Sequence, residues 1–408
     1  MDLGALPAPR ILTPVPPAPH HLLIFAHTPP PVHGQSLMVQ TLLSHLPSIA
    51  PHLTLHHVNV RLSRDSTDIG RPRLTKLLPL LAACFRALTL RFRHGPMPFY
   101  YIPAPAKRSA LYRDWIVMLL CRPFFPKLIL HWHAVGLGNW LAQHATAPER
   151  FLTQLLLGRA DLSISLAPEL LPDAQHLRPK STALVPNGLN VPETPNAKPQ
   201  TPNFSLQPQT QNPEPKTQNP THVVFLGLCS REKGVFDLLT AIAIANRREP
   251  DAFRLTVAGG FATIADQHAF FSQVVALGPE VVRHVGFASE SEKHALLSTA
   301  DVFCYPTAYP HEAQPLAVIE ALAHDLPIVA TRWRAIPSML PATPHPHIHL
   351  VEPARPDQLA DALIAARHTA PPSGELHAHY LAHFTRHHHL TALSAALQQP
   401  HLSPNFSA

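Results

Sequence analysis

Two glutamates eight positions apart, Glu312 and Glu320, frame the stretch "HEAQPLAVIEALAHDLPIVAT" at residues 311 to 331. Proline at a first helical position has its φ pre-set and lacks only an N–H that would go unpaired there. The order therefore predicts a loop to Gln314, a helix from Pro315 to about His324, and a strand from Pro327 to Thr331. Glu312 then lies in the loop before the helix, and Glu320 on the helix, roughly 7 to 8 Å along the axis from Pro315. Free amides and the positive end of the macrodipole make a helix start a seat for an anion. An anion at the mouth and a carboxylate one and a half turns deeper suit a nucleotide, with phosphate on the amides and ribose hydroxyls on Glu320. The plainer alternative is a solvated glutamate on a surface helix.

A second stretch, "VVFLGLCSREKGVFDLLTAI" at 223 to 242, reads as a strand, a loop ending in Gly234, and an amphipathic helix. Val235, Leu238, Leu239 and Ile242 fall at helical spacing. A lysine in the loop between a first strand and its helix can reach a phosphate as a point charge. Lys233 is thus a candidate for the leaving diphosphate, against the alternative of a solvated lysine.

Such residues need parallel-sheet scaffolds, and the chain alternates short apolar or β-branched runs with helical patterns throughout. In the first half strands are expected near His21 to Ala26, Leu53 to Val60, Phe99 to Ile102, Lys127 to His133, Leu162 to Leu166 and Thr182 to Val185. In the second they are expected near His222 to Leu228, Arg254 to Ala258, Val281 to Val285, Val302 to Tyr305, Ile328 to Ala330 and Ile348 to Val351. Two such α/β domains in tandem leave a cleft between the carboxyl ends of their strands, where open sheets bind ligands.

Composition agrees with that class. Of 408 residues, 46% are hydrophobic and 14% charged, as suits buried parallel strands. Proline, at 48 residues, is more than twice its usual ~5%. Much of it lies in residues 1–20 and 194–221, which divide the chain into a Pro-rich tail, an N-terminal domain over 21–193, a Pro/Gln/Asn-rich linker and a C-terminal domain over 222–370. A helical segment and tail follow over 371–408. The four cysteines show no ligand spacing and read as reduced thiols of the cytosol. The 30 histidines, "RHHHL" at 386 to 390 included, lack acidic partners and read as compositional bias. No DxD or other acidic metal cluster appears, so neither metal nor cofactor is expected. The N-terminus has no apolar signal region, and the longest apolar runs, Leu77 to Phe85 and Trp115 to Cys121, are far short of the ~20 residues that span a bilayer.

In order and spacing, "FLGLCSREKG", "VAGG", "VGFASESEKHALLSTADVFCYPT" and "HEAQPLAVIEALAHDLPIVAT" resemble the C-terminal domain of the retaining GT-B glycosyltransferases of family 4, the group 1 glycosyltransferases. In the first half, "PPPVHGQSLMVQTLLSHL", "LILHWHA" and "VPNGLNV" resemble that family's glycine loop, cleft histidine and a turn near the domain's end. The resemblance runs from about His21 to Ala366. It implies two Rossmann-like domains facing across a cleft, the N-terminal one on the acceptor side and the C-terminal one holding a nucleotide diphosphate sugar. It further implies that Glu320 accepts the ribose hydroxyls and that Ala313, Gln314, Pro315 and Leu316 meet the diphosphate and sugar. Glu312 would hold donor sugar hydroxyls, Lys233 would neutralise the leaving diphosphate, and Gly34 would let the N-terminal loop approach it. His133 would sit by the transferred sugar. His131, two residues back on the same strand face, is the alternate.

Three departures stand out. The family's arginine after the first-strand glycine is Leu228 here, its glycine after the first glutamate is Ala313, and "RWRAIPSM" places Arg334, Ala335 and Ser338 where a glycine pair and glutamate are usual. Arg231, in the same short loop as Lys233, is a candidate to supply the charge missing at Leu228.

Residues 71 to 95, "RPRLTKLLPLLAACFRALTLRFRHG", mix Arg and Lys with Leu and Phe and contain no acid. Such a helix can lie on an anionic membrane surface, or pack Leu77, Leu78, Leu81 and Phe85 on the sheet. The sequence pI of about 9.3 favours an anionic partner. The reading is a metal-independent retaining transferase of the cytoplasm, placed at the membrane's inner face if this segment touches it. It would move a sugar to a glycan or lipid-linked hydroxyl in cell-envelope or polysaccharide biosynthesis, with no nucleic-acid partner. The rivals are a degenerate nucleotide-sugar-binding protein without turnover, and a hydrolase using Glu312 and Glu320 as acid and nucleophile.

Overall fold

The computed structural model describes residues 20–60, 77–103, 105–191 and 219–398. The proline-rich tail, most of the linker, the first six residues of the basic segment and the last ten of the chain lie outside the described residues.

The N-terminal sheet has six parallel strands, β1 (His20–Ala26), β2 (Leu53–Asn59), β3 (Phe99–Tyr101), β4 (Leu128–His131), β5 (Leu162–Ser165) and β6 (Thr182–Leu184), in the order β2-β1-β3-β4-β5-β6. Every residue of β3, β4 and β5 is buried, which is why they read as unbroken apolar runs. The helices between them are α1 (Gly34–Ile49), α2 (Leu77–His94), α3 (Arg108–Cys121), α4 (Leu137–Gln143), α5 (Ala147–Leu156) and α6 (Leu171–Gln175). Thr146 and Glu149 form a capping box that fixes the start of α5.

The C-terminal sheet contains β7 (Thr221–Leu226), β8 (Phe253–Ala258), β9 (Val282–Gly286), β10 (Val302–Tyr305), β11 (Ile328–Thr331) and β12 (Ile348–Val351), ordered β12-β11-β10-β7-β8-β9, again all parallel. Its helices are α7 (Val235–Arg248), α8 (Ile264–Leu277), α9 (Glu290–Thr299), α10 (Leu316–Ala323), α11 (Ile336–Met339), α12 (Pro356–His368) and α13 (Glu375–His383). The predicted stripe of α7 is the buried one: Val235, Leu238, Leu239 and Ile242 enter the core. This strand order is the doubly wound Rossmann order, reversing between β7 and β10, and ligands bind outside the strand ends at such a reversal. In the N-terminal sheet the reversal falls between β1 and β3.

The last helix, α14 (Arg386–Leu397), does not stay with the domain that precedes it. Leu390, Leu393, Ala396 and Leu397 pack with Val39, Leu42 and Leu46 of α1, on one face of the N-terminal sheet. Of the helical segment expected over 371–408, α14 is therefore part of the N-terminal core, whereas Leu376, Tyr380 and Phe384 stay in the C-terminal one, and the chain crosses between domains twice.

Candidate active site

Two loops meet at the reversal of the C-terminal sheet. The loop after β7 ends at Gly234, whose φ of 75° and whose approach to the Pro306 carbonyl leave no room for a Cβ. Because the glycine lets the two loops touch, the Ala308 amide donates to the Glu232 carbonyl at 2.8 Å, and Lys233 is carried inward beside the loop after β10.

There Lys233 Nζ donates to Glu312 Oε2 at 2.6 Å and to the Tyr305 hydroxyl at 3.1 Å. The hydroxyls of Tyr305 and Thr307 each donate to the same Glu312 oxygen at 3.1 Å. Burial works against the Lys233 ammonium, but the Tyr305 hydroxyl and the Glu312 carboxylate outweigh it and hold the pKa above the ordinary lysine range. Burial likewise pushes the Tyr305 hydroxyl up. Lys233 is thus charged, compensated by Glu312, and left with one of its three N–H donors for a ligand. A carboxylate locked in this way is an acceptor, which argues against Glu312 as the acid of a hydrolase.

Glu320 lies on α10 as expected, 5% exposed, and is ion-paired to Lys293 of α9. Lys293 also meets Glu290 at 2.8 Å. Burial raises the Glu320 pKa, with Lys293 opposing the shift. Pro315 proves to be the residue before the helix: its φ of −67° is helical, but its ψ of 123° is extended. The first helical residue is Leu316. Pro315 itself offers no N–H, so an anion at this helix start would meet its neighbours' amides.

The N-terminal domain closes over the same loop. A Cβ on Gly34, at the start of α1, would come only to ordinary contact, 3.7 Å, with Leu316. The Asn187 amide donates to Gln314 Oε1 at 2.5 Å and its side chain to the Gln314 carbonyl at 3.1 Å. His311 Nδ1 is bonded to the Val135 carbonyl at 2.9 Å, and Ser338 donates to Glu169 at 2.9 Å. Ala313 and Ala335 are buried together with Val135, Leu166, Ala167 and Leu170 in one small apolar cluster across the domain boundary.

Beside this seam sit the histidines. β4 ends at His131, so His133 stands just past the strand end and not on it, yet their rings remain 4.3 Å apart. His131 is hydrogen-bonded to Tyr100 in the core, which makes His133 the more accessible of the two. Burial lowers the His133 pKa to about 3, helped by nearby His389 and His33. His33 itself is lowered to about 4, mainly by burial. His389, within the tract read as compositional bias, is 2% exposed and bonded to the Pro186 carbonyl at 2.6 Å. Its burial follows from α14 folding back to the N-terminal domain.

Gly34, Lys233, Glu312, Ala313, Gln314, Pro315 and Leu316 are therefore brought together. Arg231 is not drawn into the group: its guanidinium lies over the Phe236 ring at 4.8 Å, with Asp237 its nearby charge. Leu228 is exposed. Tyr305, Thr307 and Asn187 lie within stretches quoted for the family resemblance, "VGFASESEKHALLSTADVFCYPT" and "VPNGLNV", in which no site residue was named. Lys293 had no local signal, being on a different helix from Glu320. Among the described residues no cluster of three or more His, Cys, Asp or Glu side chains could hold a metal, and all four cysteines are free and buried.

Two doubly wound domains with this site at their boundary define the GT-B class of glycosyltransferase folds. Residues 220–368, within the C-terminal domain, match the family described as Glycosyl transferases group 1. Similar solved structures include sucrose-phosphate synthase from Thermosynechococcus elongatus, at 18% identity and TM-score 0.64, covering 93% of this chain and 98% of that one. Anabaena HepE in complex with UDP and glucose, at 15% identity and TM-score 0.63, covers 93% of this chain and 100% of that one. The lipopolysaccharide outer core galactosyltransferase WaaB, at 12% identity and TM-score 0.63, covers 92% and 99%. At these identities the likeness is one of fold. No curated protein matches the chain in sequence.

Proposed function

We propose that the protein is a retaining glycosyltransferase of family 4 type. It would move a sugar from a nucleoside diphosphate sugar to a hydroxyl of a glycan or lipid-linked acceptor in cell-envelope or polysaccharide biosynthesis. The observation that carries this reading is the Lys233–Glu312 pair at the reversal of the donor-side sheet, beside the start of α10, where Gly34 at the start of α1 faces Leu316. In this arrangement Glu320 accepts the ribose hydroxyls and Glu312 holds sugar hydroxyls through its second oxygen. The remaining Lys233 donor and the amides near Leu316 bind the diphosphate. The anomeric bond breaks through an oxocarbenium-like state, and fixed dipoles and charge stabilise the leaving group as its charge grows, with no metal ion required. The leaving phosphate assists the acceptor hydroxyl, and neutral His133 borders the transferred sugar.

Work would be done on the cytoplasmic side, with the N-terminal domain at the membrane surface. No helix among the described residues is long and apolar enough to cross a membrane. HepE, solved with UDP and glucose, makes UDP-glucose a reasonable first donor to test. Thermal-shift screening against a panel of nucleotide sugars should pick out one donor. A ligand at ~100 times its dissociation constant adds roughly 2.7 kcal/mol. Turnover should release a nucleoside diphosphate and keep the anomeric configuration. Sugar released without nucleotide would identify a hydrolase, and binding without turnover against any acceptor would leave the degenerate reading.

A further inference from the structure

The face of the N-terminal sheet opposite α1 and α14 is covered by α2, α3 and α5, and large apolar side chains stand out from it. Leu78 is 75% exposed and Phe85 73%, both on the first half of α2, and Phe92 on its last turn is 66% exposed. On α5, Phe151 and Leu155 are 67% and 60% exposed. These positions belong to one surface. The rings of Phe92 and Phe124 lie 5.8 Å apart, and Arg91 Nε donates to the Phe124 carbonyl at 2.7 Å. From the same turn Arg122 donates to the carbonyls of Leu155 at 3.3 Å and Gly158 at 2.8 Å, fastening it to the end of α5. Exposed apolar surface on this scale marks an interaction site.

The charge on the face says what it meets. The three helices and the 122–124 turn carry seven arginines and two carboxylates, Asp114 and Glu149. Both carboxylates are buried and already bonded, Asp114 by Arg113 and Tyr101, Glu149 by Arg108 and Tyr112. No acid on these elements is exposed. A second copy docked face to face would set arginines against arginines, since a two-fold interface uses one patch twice.

We infer that the α2–α3–α5 face docks on an anionic lipid bilayer. The phenylalanines and leucines enter the interface, and Arg86, Arg91 and Arg93 meet lipid phosphates. This widens the contact beyond the basic segment ending at residue 95 to two further helices. It deepens the membrane-surface part of the reading above, and rests on that reading only for the acceptor. Helices that follow parallel strands begin at the strands' carboxyl ends, so the starts of α2 and α3 lie at the cleft end of the domain. Leu77, Leu78 and Tyr112 are exposed there. A lipid-carried acceptor would then present its hydroxyl at the mouth of the cleft.

The test is co-sedimentation of the full chain with vesicles of phosphatidylcholine alone and of phosphatidylcholine mixed with phosphatidylglycerol. Binding is expected to the mixed vesicles only, and to fall as salt rises. Arg86→Glu with Arg93→Glu, and separately Phe151→Ser with Leu155→Ser, should each weaken it by roughly tenfold or more. Melting temperature and the thermal shift given by a nucleoside diphosphate should be unchanged in both variants. That second readout separates a failure of the membrane inference from a failure of the donor reading. The inference is overturned if the chain ignores mixed vesicles, or if the α5 variant binds them as wild type does. It is equally overturned if the chain forms a dimer that the α5 variant dissolves while vesicle binding is absent.

Discussion

Changing Glu320 to glutamine separates what this carboxylate does for the fold from what it does for a ligand. The side chain is almost fully buried, and burial holds its pKa above the ordinary glutamate value. A carboxyl whose folded-state pKa exceeds its unfolded value binds its proton more tightly in the native state. Its stabilising contribution is present at low pH and is lost as pH rises through the raised pKa. At neutral pH, then, ionised Glu320 works against the fold, and Lys293 offsets only part of the cost. In Glu320→Gln the desolvated charge is gone, Lys293 keeps Glu290 at 2.8 Å, and the amide oxygen can still accept from it. The melting temperature without ligand should therefore hold or rise. Affinity for a nucleoside diphosphate should fall by about 1.5 to 3 kcal/mol, because ribose hydroxyls lose a charged acceptor. That is roughly a tenfold to hundredfold loss, well within the range of titration calorimetry. Unchanged affinity would remove Glu320 from the ribose site. A clear drop in melting temperature would mean that the Lys293–Glu320 bridge holds α9 to α10 and that the electrostatic argument has the wrong sign.

Three further outcomes follow from the site. Gly34→Val should abolish most turnover while leaving the melting temperature within a degree or so of wild type, because no strained φ and no close neighbour demand glycine there; a destabilised variant would show that packing selects it. Lys233→Ala should lower turnover by roughly 10²-fold or more, whereas Arg231→Ala should change it little, since the guanidinium rests on Phe236; equal losses in steady-state kinetics would put both charges on the leaving group. Urea midpoints should fall as pH drops from about 6.5 towards 4, because His33, His133 and His389 are held at about 4, 3 and 4 and the unfolded chain takes up their protons first; His133→Gln should flatten that slope, and an unchanged slope would show that the cleft histidines are not its source.

The central strands were legible because a parallel strand buried on both faces is a short apolar run bounded by turns, as "LILH" of β4 and "IVAT" of β11 are; the edge strands β2, β6 and β9 are largely unburied and carry a weaker signal. Lys233 and Glu312 were legible because each lies one short loop from such a strand, on the side where ligands bind. Lys293 was not, since a bridge between neighbouring helices leaves no mark of spacing in either. Nor could the sequence around Leu390 and Leu393 say which sheet α14 would cover, because an apolar stripe specifies burial and not a partner. The burial of His389 was illegible for the same reason: its environment is made by α14 reaching the Pro186 turn, more than 200 residues earlier in the chain.

The departures from the family pattern bear on whether the site is intact. Arg334 adopts a φ of 51°, a left-handed conformation that glycine takes without strain, and donates to the Pro310 carbonyl at 2.9 Å. Trp333 beside it donates to the Tyr309 carbonyl at 2.8 Å. Ala313 and Ala335 fill the seam against Val135 and Leu166. Each replacement for a glycine thus has a partner, and together they hold the two residues preceding His311 and the one following Glu312. In this loop only Arg334 Nε is buried without a partner among the described residues. Fixing the loop by side chains in place of glycine flexibility lowers the entropy lost when Glu312 meets a ligand, so the altered sequence around residues 332 to 338 fits a preorganised site better than a decayed one.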